Sequence, residues 1–354
     1  MKKWNILHRQ EPSRNDLMES MSIPEEIGQI LLNRGVETQD QVKMFTDPSL
    51  KYLRDPFQLK DMDRAVERMR RAISENEKIW IFGDYDVDGV SSTSIMILYF
   101  KSIGYPVDYY IPNRLEEGYG LNTEAIDHIA SKDGSLIITV DCGITSVKEV
   151  DYAKDLGIDV IITDHHECQE KLPDAYAVVD PKRDDSSYPF EGICGCGVAF
   201  KLIHALSGNE EFYRNINRYL EIVSLATICD IMPILDENRI IVKNGMEILG
   251  QGNNLGMQAL LEVCGLDGTK IKSSHLGFAI GPRINASGRL GFSKLGVELF
   301  TSDSLEEAKS LALMMDSKNT ERQEVEARIH MEVEDILSKD TSYRDDKVLV
   351  ISGK

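Results

Sequence analysis

Three aspartates stand at alternating positions in the stretch IFGDYDVDGVSS, where Asp84, Asp86 and Asp88 follow a short apolar run. Carboxylates this close repel one another unless a cation or hydrogen-bond donors compensate their charge. A divalent cation is one answer, and an Asx-rich turn that caps the following helix is the other. The DxDxDG spacing also occurs in EF-hand calcium loops, but Ile95 stands where such a loop needs its glutamate. The turn alone leaves the metal and capping interpretations open.

Two further groups of metal-binding side chains follow apolar runs. Asp141 comes directly after SLIITV, and Asp164, His165 and His166 come directly after IDVIIT. In open α/β sheets, ligands bind at the carboxyl ends of the strands, so we expect all three groups to meet at one edge. Carboxylate and imidazole suit Mn²⁺ or Mg²⁺, and two such ions roughly 3.5–4 Å apart catalyse phosphoryl displacement by water. The pattern therefore predicts a two-metal hydrolytic site.

The elements that position these groups alternate between strands and helices. Five short apolar runs, KIWIFG, VDYYIP, SLIITV, IDVIIT and YAVVD, are separated by helical segments or loops. Near-continuous apolar strands between helical segments of about ten residues indicate a parallel β-sheet with helices on both faces. The predicted fold class is therefore α/β.

The rest of the chain is predicted to be mainly helical. Amphipathic segments such as IPEEIGQILLNRG and MDRAVERMRRAISE indicate an N-terminal helical extension. Ser304 and Glu307 resemble a capping box at the start of one long helix. After it, DDKVLVISGK is expected to form the first strand of a further, truncated domain. The predicted boundaries are 1–75 for the extension, 76–235 for the domain with the metal site, 236–303 for a helical and loop part, 304–340 for the connector helix and 341–354 for the truncated domain.

Composition restricts the function classes. The 354 residues include 40 lysines and arginines against 59 aspartates and glutamates, a net charge of −19. This balance argues against a nucleic-acid partner unless bound cations neutralise the acids or basic surface is concentrated elsewhere. The six cysteines lack disulfide or zinc spacing, no apolar run reaches the roughly 18–20 residues of a membrane span, and the N-terminus lacks a secretion signal. We therefore expect a cytoplasmic protein with reduced thiols and no membrane partner.

Several segments resemble one known family, in order, over essentially the whole chain. DYDVDG, VDCGIT, DHH and SLATICDIMPI resemble motifs I to IV of the DHH phosphoesterase family. IPNRLEEGYGL, CGCGVAFKL and GPRINASGRLG resemble further blocks of its single-strand-specific exonucleases. The resemblance implies a 5′→3′ exonuclease of DNA repair and recombination that hydrolyses single-stranded DNA with two divalent cations, Mn²⁺ ahead of Mg²⁺. It also implies a RecQ-type helicase and a single-strand-binding protein as partners.

The same resemblance implies a set of metal ligands. These are Asp84, Asp86, Asp88, Asp141, His165 and Asp230. Asp141 is the expected bridging ligand between the two cations. Among the three acids of the first turn, Asp86 and Asp88 are the favoured ligands, and Asp230 is expected at the end of a helix.

A second set of residues is implied for catalysis and substrate binding. The expected catalytic residues are His166, Asp141 and Asp164. Asp164 is expected to orient His165, with direct ligation left open, and His166 to face the scissile phosphate as a ligand or proton donor. Guanidinium groups suit bidentate phosphate capture. The expected phosphate and sugar contacts are Arg283, Asn285, Ser287, Arg289 and Arg114.

Two other functions stay open at this point. One is a DHH phosphodiesterase that acts on short oligonucleotides or cyclic dinucleotides, against which the GPRINASGRLG block and the N-terminal extension count. The other is a non-catalytic replication or repair scaffold, which is expected to have lost metal ligands, whereas every motif position here is filled. Since the family continues into a second catalytic domain, we expect this chain to bind metal but to show weak or no processive nuclease activity.

Overall fold

The computed structural model describes residues 23–114, 116–339 and 347–352. Five parallel strands form one sheet, with the order β2-β1-β3-β4-β5. Each strand lies within one of the five apolar runs, so the α/β prediction is confirmed. The strands are β1 (Ile79–Gly83), β2 (Asp108–Tyr110), β3 (Leu136–Val140), β4 (Asp159–Thr163) and β5 (Ala177–Val179).

Six helices precede or alternate with the strands. They are α1 (Glu25–Asn33), α2 (Gln39–Thr46), α3 (Met62–Ser74), α4 (Val87–Ser102), α5 (Thr123–Ser131) and α6 (Val147–Asp155). The first three form the described part of the predicted N-terminal extension, whose residues 1–22 lie outside the described chain.

Seven helices of eight or more residues follow the sheet in the described part of the chain. They are α7 (Gly195–Asn215), α8 (Asn217–Cys229), α9 (Asp236–Ile248), α10 (Leu255–Val263), α11 (Gly281–Arg289), α12 (Lys294–Thr301) and α13 (Leu305–Lys339). A π-helical turn, Leu276–Ile280, leads directly into α11. The segment GPRINASGRLG is therefore largely helical rather than a glycine-rich loop.

Both faces of the sheet are covered, which explains why its strands are apolar at successive positions. In β1, Ile79 and Ile81 pack into a core shared with α3, α4 and α7. Trp80 and Phe82 point the other way, into a smaller core with α5 and α6. Because side chains alternate along a strand, a strand that is buried on both faces cannot place a charged side chain in its middle without burying it. The charged side chains of a site therefore lie at the strand ends.

The long helix predicted after residue 304 is confirmed as α13. Its buried residues are Ala308, Ala312, Met315 and Asn319, all in the first half, which packs against α10, α11 and α12. Further along, the apolar side chains of Val325 and Ile329 are exposed. The second half therefore has no core of its own within the described chain.

The segment predicted as a strand after α13 lies partly outside the described residues. Its described part, 347–352, forms no strand. Among the described helices, none combines the length and apolar character needed to cross a membrane.

A buried network of charged groups joins the N-terminal extension to α7 and α9. The Lys201 ammonium donates to the Arg54 carbonyl oxygen and, over 2.8 Å, to Glu237 Oε1. The Tyr188 hydroxyl donates to the other Glu237 oxygen. The Arg54 guanidinium donates to both carboxylate oxygens of Asp236, at 2.9 and 2.6 Å. This network, here called the Lys201 network, contains positively and negatively charged side chains together with the hydrogen-bond donors and acceptors that satisfy them.

Candidate metal centre

The turn after β1 places its first two aspartates differently. Asp84 is buried, and its Oδ1 has no hydrogen-bond partner among the described residues. Asp86 is the N-cap of α4, and its Oδ1 accepts hydrogen bonds from the amides of Asp88 and Gly89, at 2.8 and 3.0 Å. A Cβ atom on Gly89 would lie 2.4 Å from the Asp84 carbonyl oxygen, so the tight turn requires glycine there. Capping and an acid aimed into the site thus occur in the same turn.

The third aspartate of the turn is held by the N-terminus of α7. Asp88 accepts hydrogen bonds from the amides of Gly195 and Cys196, at 2.7 and 2.8 Å, one on each carboxylate oxygen. A helix N-terminus stabilises such a negative charge. Asp84 Oδ1 is thus left without a hydrogen-bond partner among the described residues, whereas each oxygen of Asp88 accepts one hydrogen bond. The expectation that Asp86 and Asp88 are the ligands of this turn stays a prediction. The role of CGCGVAFKL in holding this acid was not predicted from the sequence.

Acids from three other elements converge on one imidazole nitrogen. Nε2 of His165, which follows β4, lies 3.1 Å from Oδ1 of Asp141, which follows β3. The same nitrogen lies 3.6 Å from Asp88 Oδ2 and 3.7 Å from Oδ2 of Asp230, the C-cap residue of α8. A Cβ atom on Gly195 would lie 2.4 Å from Asp141 Oδ1, so glycine is needed where α7 begins. The predicted ligands therefore do meet at the carboxyl edge of the sheet.

The donor atoms of this cluster fit divalent cations. Three sets of side chains each offer ligand atoms within 4.8 Å of one another: Asp84, Asp86 and Asp141; Asp88, His165 and Asp230; and Asp141, His165 and His166. Among the described residues, Oδ1 of Asp84, Oδ1 of Asp141, Oδ2 of Asp230 and Nδ1 of His165 are buried without a hydrogen-bond partner. Buried polar atoms without partners are rare in folded proteins. Carboxylate with imidazole suits Mn²⁺ or Mg²⁺.

The electrostatics of the cluster show an excess of negative charge. Burial, followed by repulsion from Asp86, raises the pKa of Asp84 to about 7. Burial also raises the pKa of Asp88 and of Asp230 to about 6, and it raises that of Asp141 well above its ordinary value, with Asp88 and Asp86 adding repulsion. Burial lowers the pKa of His165, which keeps its ring in the neutral form that binds metals. A bound cation would offset the cost of ionising these buried acids.

Asp164 does not orient the ring of His165 as expected. Its Oδ1 instead lies 2.7 Å from Nδ1 of His166, and its Oδ2 accepts from the Ile144 amide at 2.9 Å. Although burial opposes ionisation, these hydrogen bonds lower the pKa of Asp164, while the bond to Asp164 raises the pKa of His166. Oδ1 of Asp164 also accepts hydrogen bonds from the backbone amides of His165 and His166. The Asp164 side chain therefore folds back over its own loop, and its carboxylate reaches the ring of His166 rather than that of His165.

The residues predicted to contact phosphate separate into two groups. Helix α11 packs on the turn after β1, since Asn285 Oδ1 accepts from the Val87 amide and a Cβ on Gly288 would lie 2.1 Å from the Tyr85 carbonyl oxygen. Arg289, at the end of α11, is exposed and has no ion-pair partner among the described residues. The exposed Arg114 guanidinium lies 5.1 Å from the centre of the Tyr85 ring. Arg114 therefore lies against the turn after β1, and Arg289 stays exposed at the end of a helix that packs on the same turn.

Two other predicted contacts face elsewhere. Arg283 donates to Asp316 Oδ1 at 2.8 Å and to the Ala279 carbonyl oxygen, and so ties α11 to α13. Ser287 is completely buried and donates its hydroxyl to the Ile284 carbonyl oxygen. In this arrangement both side chains serve the packing of α11 rather than a phosphate.

One acid at the same edge was missed. Asp180 directly follows β5, is fully buried, and accepts from the Lys182 amide at 2.8 Å. Burial raises the pKa of Asp180 to about 7. The signal was present in the sequence, because YAVVD repeats the pattern of an apolar run that ends in aspartate.

The fold and the cluster define a class of protein. Residues 78–227 match the model of the DHH family, N-terminal domain. A crystal structure of exonuclease RecJ bound to manganese is 32% identical, with a TM-score of 0.70, and the match covers 77% of this chain and 69% of that one. The chain belongs to the DHH family.

Within that family, the chain is similar to proteins named RecJ. The single-stranded-DNA-specific exonuclease RecJ of Bacillus subtilis (strain 168) is 40% identical over 327 residues, which are 92% of this chain and 41% of that protein. The crystal structure of RecJ in complex with Mn²⁺ from Thermus thermophilus is 27% identical with a TM-score of 0.75, over 92% of this chain and 46% of that one. The chain thus spans less than half the length of these two relatives.

Proposed function

We propose that this chain carries the metal-dependent phosphodiesterase centre of a single-stranded-DNA-specific 5′→3′ exonuclease of DNA repair and recombination. The observation that carries the proposal is the cluster of buried acids and His165 at the sheet edge, in which Asp84, Asp141 and Asp230 each keep an oxygen without a hydrogen-bond partner within the described chain. The activity named for its Bacillus subtilis relative supports the choice of substrate.

The proposed cation sites follow from the three sets of ligand atoms. Asp84 and Asp86 would hold one divalent cation, and His165 and Asp230 the other, with Asp141 shared because it belongs to the set with Asp84 and Asp86 and also to a set with His165. Asp88 would complete the second site while α7 holds its carboxylate. When bound, two divalent cations, Mn²⁺ in preference to Mg²⁺, supply an activated water and charge stabilisation at the phosphoryl oxygens.

His166 is the proposed proton or hydrogen-bond donor to the scissile phosphate. Asp164 occupies Nδ1 and raises the pKa of the ring, so Nε2 is left to carry a proton toward the substrate. The His166 side chain is 46% exposed, as such a contact requires. Asp164 is therefore a positioning residue for His166.

Arg289 and Arg114 are the proposed phosphate contacts, with Asn285 holding α11 against the metal turn. Selectivity for single strands would come from the width of the passage to the cluster rather than from base readout. A RecQ-type helicase and a single-strand-binding protein as partners, and a cytoplasmic location, belong to the same proposal.

Digestion of end-labelled DNA tests the function. We expect the chain with Mn²⁺ to release the label from 5′-labelled single strands before that of 3′-labelled strands, and to leave blunt duplexes intact. Asp141→Asn should lower the rate by about 10³-fold, because metal-held charge contributes several kcal/mol to the transition state. Asp174→Asn, which removes an exposed acid paired with Lys154, is the matched control.

The same assay separates the alternatives. Cleavage confined to oligonucleotides of a few residues in a length series would favour a short-substrate phosphodiesterase. Metal binding without release of even a single 5′ nucleotide, together with a Mn²⁺ affinity that Asp141→Asn leaves unchanged, would favour a scaffold.

A further inference from the structure

Two cationic residues, Arg114 and Lys182, lie in the segments that follow the two edge strands of the sheet. Arg114 lies in the segment after β2, and Lys182 lies in the segment after β5. Strands β2 and β5 are the two edges of the sheet, and the strands between them deliver the clustered acids. Since neighbouring strands are about 4.8 Å apart, the four intervals between the edge strands span roughly 19 Å. A polyanion that crosses the carboxyl edge would meet a cation on each side of the metals.

The position of Lys182 is determined by two contacts. Its amide donates to the buried carboxylate of Asp180, and its ammonium lies 2.9 Å from Oε1 of Glu167. Glu167 directly follows His166, so the ammonium is held beside the DHH motif.

The pairing of Lys182 is weak compared with that of its neighbour. Glu167 is 86% exposed, and an ion pair with so exposed a partner contributes little. Arg183, by contrast, is held by Asp61 and Asp185 at 2.8 Å each. Lys182 can therefore exchange its carboxylate for a phosphate, which lysine binds as a point charge, whereas Arg183 is committed to the fold.

We propose that Lys182 binds the substrate phosphate next to the scissile one, on the β5 side of the metal centre, and that Glu167 holds it in place until the strand arrives. The inference rests on the proposed function. It also gives the path of the strand, which crosses the sheet edge from Arg114 over the metals to Lys182.

Binding of a fluorescein-labelled 12-nucleotide single strand, with Ca²⁺ in place of Mn²⁺ to keep it uncleaved, tests the role of Lys182. Lys182→Ala should weaken binding about tenfold, the loss of one charge-assisted hydrogen bond. It should also reduce the slope of log affinity against log salt by about 0.7, the value for one phosphate on a single strand. Lys182→Arg should restore the slope. Lys154→Ala, which removes another lysine from an exposed ion pair, should change neither quantity.

Glu167→Gln provides a change of opposite sign. It removes the competing carboxylate, so binding should tighten about two- to threefold. With Lys182 already replaced by alanine, the same substitution should have no effect. A merely structural role for Lys182 would not produce this coupling.

The possible outcomes distinguish this inference from the proposed function. If the chain binds and cleaves single strands but Lys182→Ala behaves like Lys154→Ala, the role of Lys182 is wrong and the function stands. If the unchanged chain binds no single strand, both are wrong.

Discussion

Two of the buried groups of charged side chains in the described part of the chain, the Lys201 network and the metal centre, differ in their hydrogen bonding. In the Lys201 network, both oxygens of Glu237 accept hydrogen bonds from groups of the chain itself. At the metal centre, Asp84, Asp141 and Asp230 each keep a buried oxygen without a partner among the described residues. Burying an unpaired charge is costly, so such a group persists only where something else completes it. The first group is therefore closed by the fold, whereas the second is left for protons or for cations from outside to complete.

Breaking the closed group should have the largest effect on stability. Lys201→Met leaves the fully buried Glu237 carboxylate without its counter-charge, and we expect the free energy of unfolding to fall by about 3–5 kcal/mol. Urea unfolding measures this loss. Mn²⁺ affinity, measured by calorimetry on the folded variant, should be unchanged.

A surface pair is the control for that experiment. Lys309→Met removes the partner of the exposed Glu262 and should cost no more than about 1 kcal/mol. Equal losses for the two variants would contradict the contrast between a closed buried group and an open surface pair.

The buried acids of the metal centre should make the fold without metal less stable as the pH rises. The pKa of Asp84 is about 7 in the fold against 3.8 ordinarily, so the folded chain holds a proton that the unfolded chain has already lost at pH 5. This group's contribution is complete below about pH 3.8 and is lost as the pH rises through 7. At about 1.36 kcal/mol per pKa unit, the loss between pH 5 and pH 8 is of the order of 3 kcal/mol from Asp84 alone.

Urea unfolding in EDTA at the two pH values measures this effect. Saturating Mn²⁺ should stabilise the chain more at pH 8 than at pH 5, because the cation takes the place of the protons. Asp84→Asn should flatten the metal-free dependence. If the free energy of unfolding without metal rises from pH 5 to pH 8, the prediction is wrong, because ionising the buried acids would then not destabilise the fold.

Asp164, like Asp88, is an acid of the metal centre that resembles the closed group, because its oxygens are bonded to His166 and to backbone amides. Asp164→Asn should lower the pKa of His166 and slow cleavage about 10- to 100-fold. The pH profile of kcat should show the limb due to His166 shifted to lower pH. Asp127→Asn, which changes an exposed acid that accepts a hydrogen bond from Tyr152, is the control. If Asp164→Asn leaves the His166 limb of the pH profile unshifted, Asp164 does not position His166.

A smaller difference between the two regions concerns the backbone. Ile231 follows Asp230 with a φ of 57° and the residue is 88% exposed, while Asp236 of the Lys201 network has a φ of 46°. Aspartate tolerates the left-handed region, whereas a β-branched residue does not.

Replacing each of these residues by glycine should have opposite effects. Ile231→Gly should raise the free energy of unfolding by about 1 kcal/mol by relieving backbone strain. Asp236→Gly should lower it, since the Arg54 ion pair is lost. Thermal unfolding measures both, and a destabilised Ile231→Gly would mean that the exposed side chain makes a stabilising contact.

The α/β fold was predictable because burial on both faces leaves strands apolar throughout, as in KIWIFG and SLIITV. The meeting of Asp84, Asp141 and His165 was predictable for a related reason, since parallel strands end at one edge. The hydrogen-bond partners of the individual carboxylate oxygens were not predictable. Asp88 is bonded by the amides of Gly195 and Cys196, the first of them 107 positions along the chain, and no local pattern reports that contact.

The sequence by itself determined which chemical groups reach the sheet edge, because alternation and strand length are local properties of the backbone. Only the tertiary structure decided which of those groups are free. Asp88 is taken up by a helix N-terminus and Asp164 by His166, whereas Asp84 and Asp141 keep oxygens that have no partner among the described residues. Arg283 is likewise taken up by Asp316, and Arg289 is not. A hydrogen bond depends on where distant segments pack, and that packing is set by the whole core rather than by neighbours in sequence.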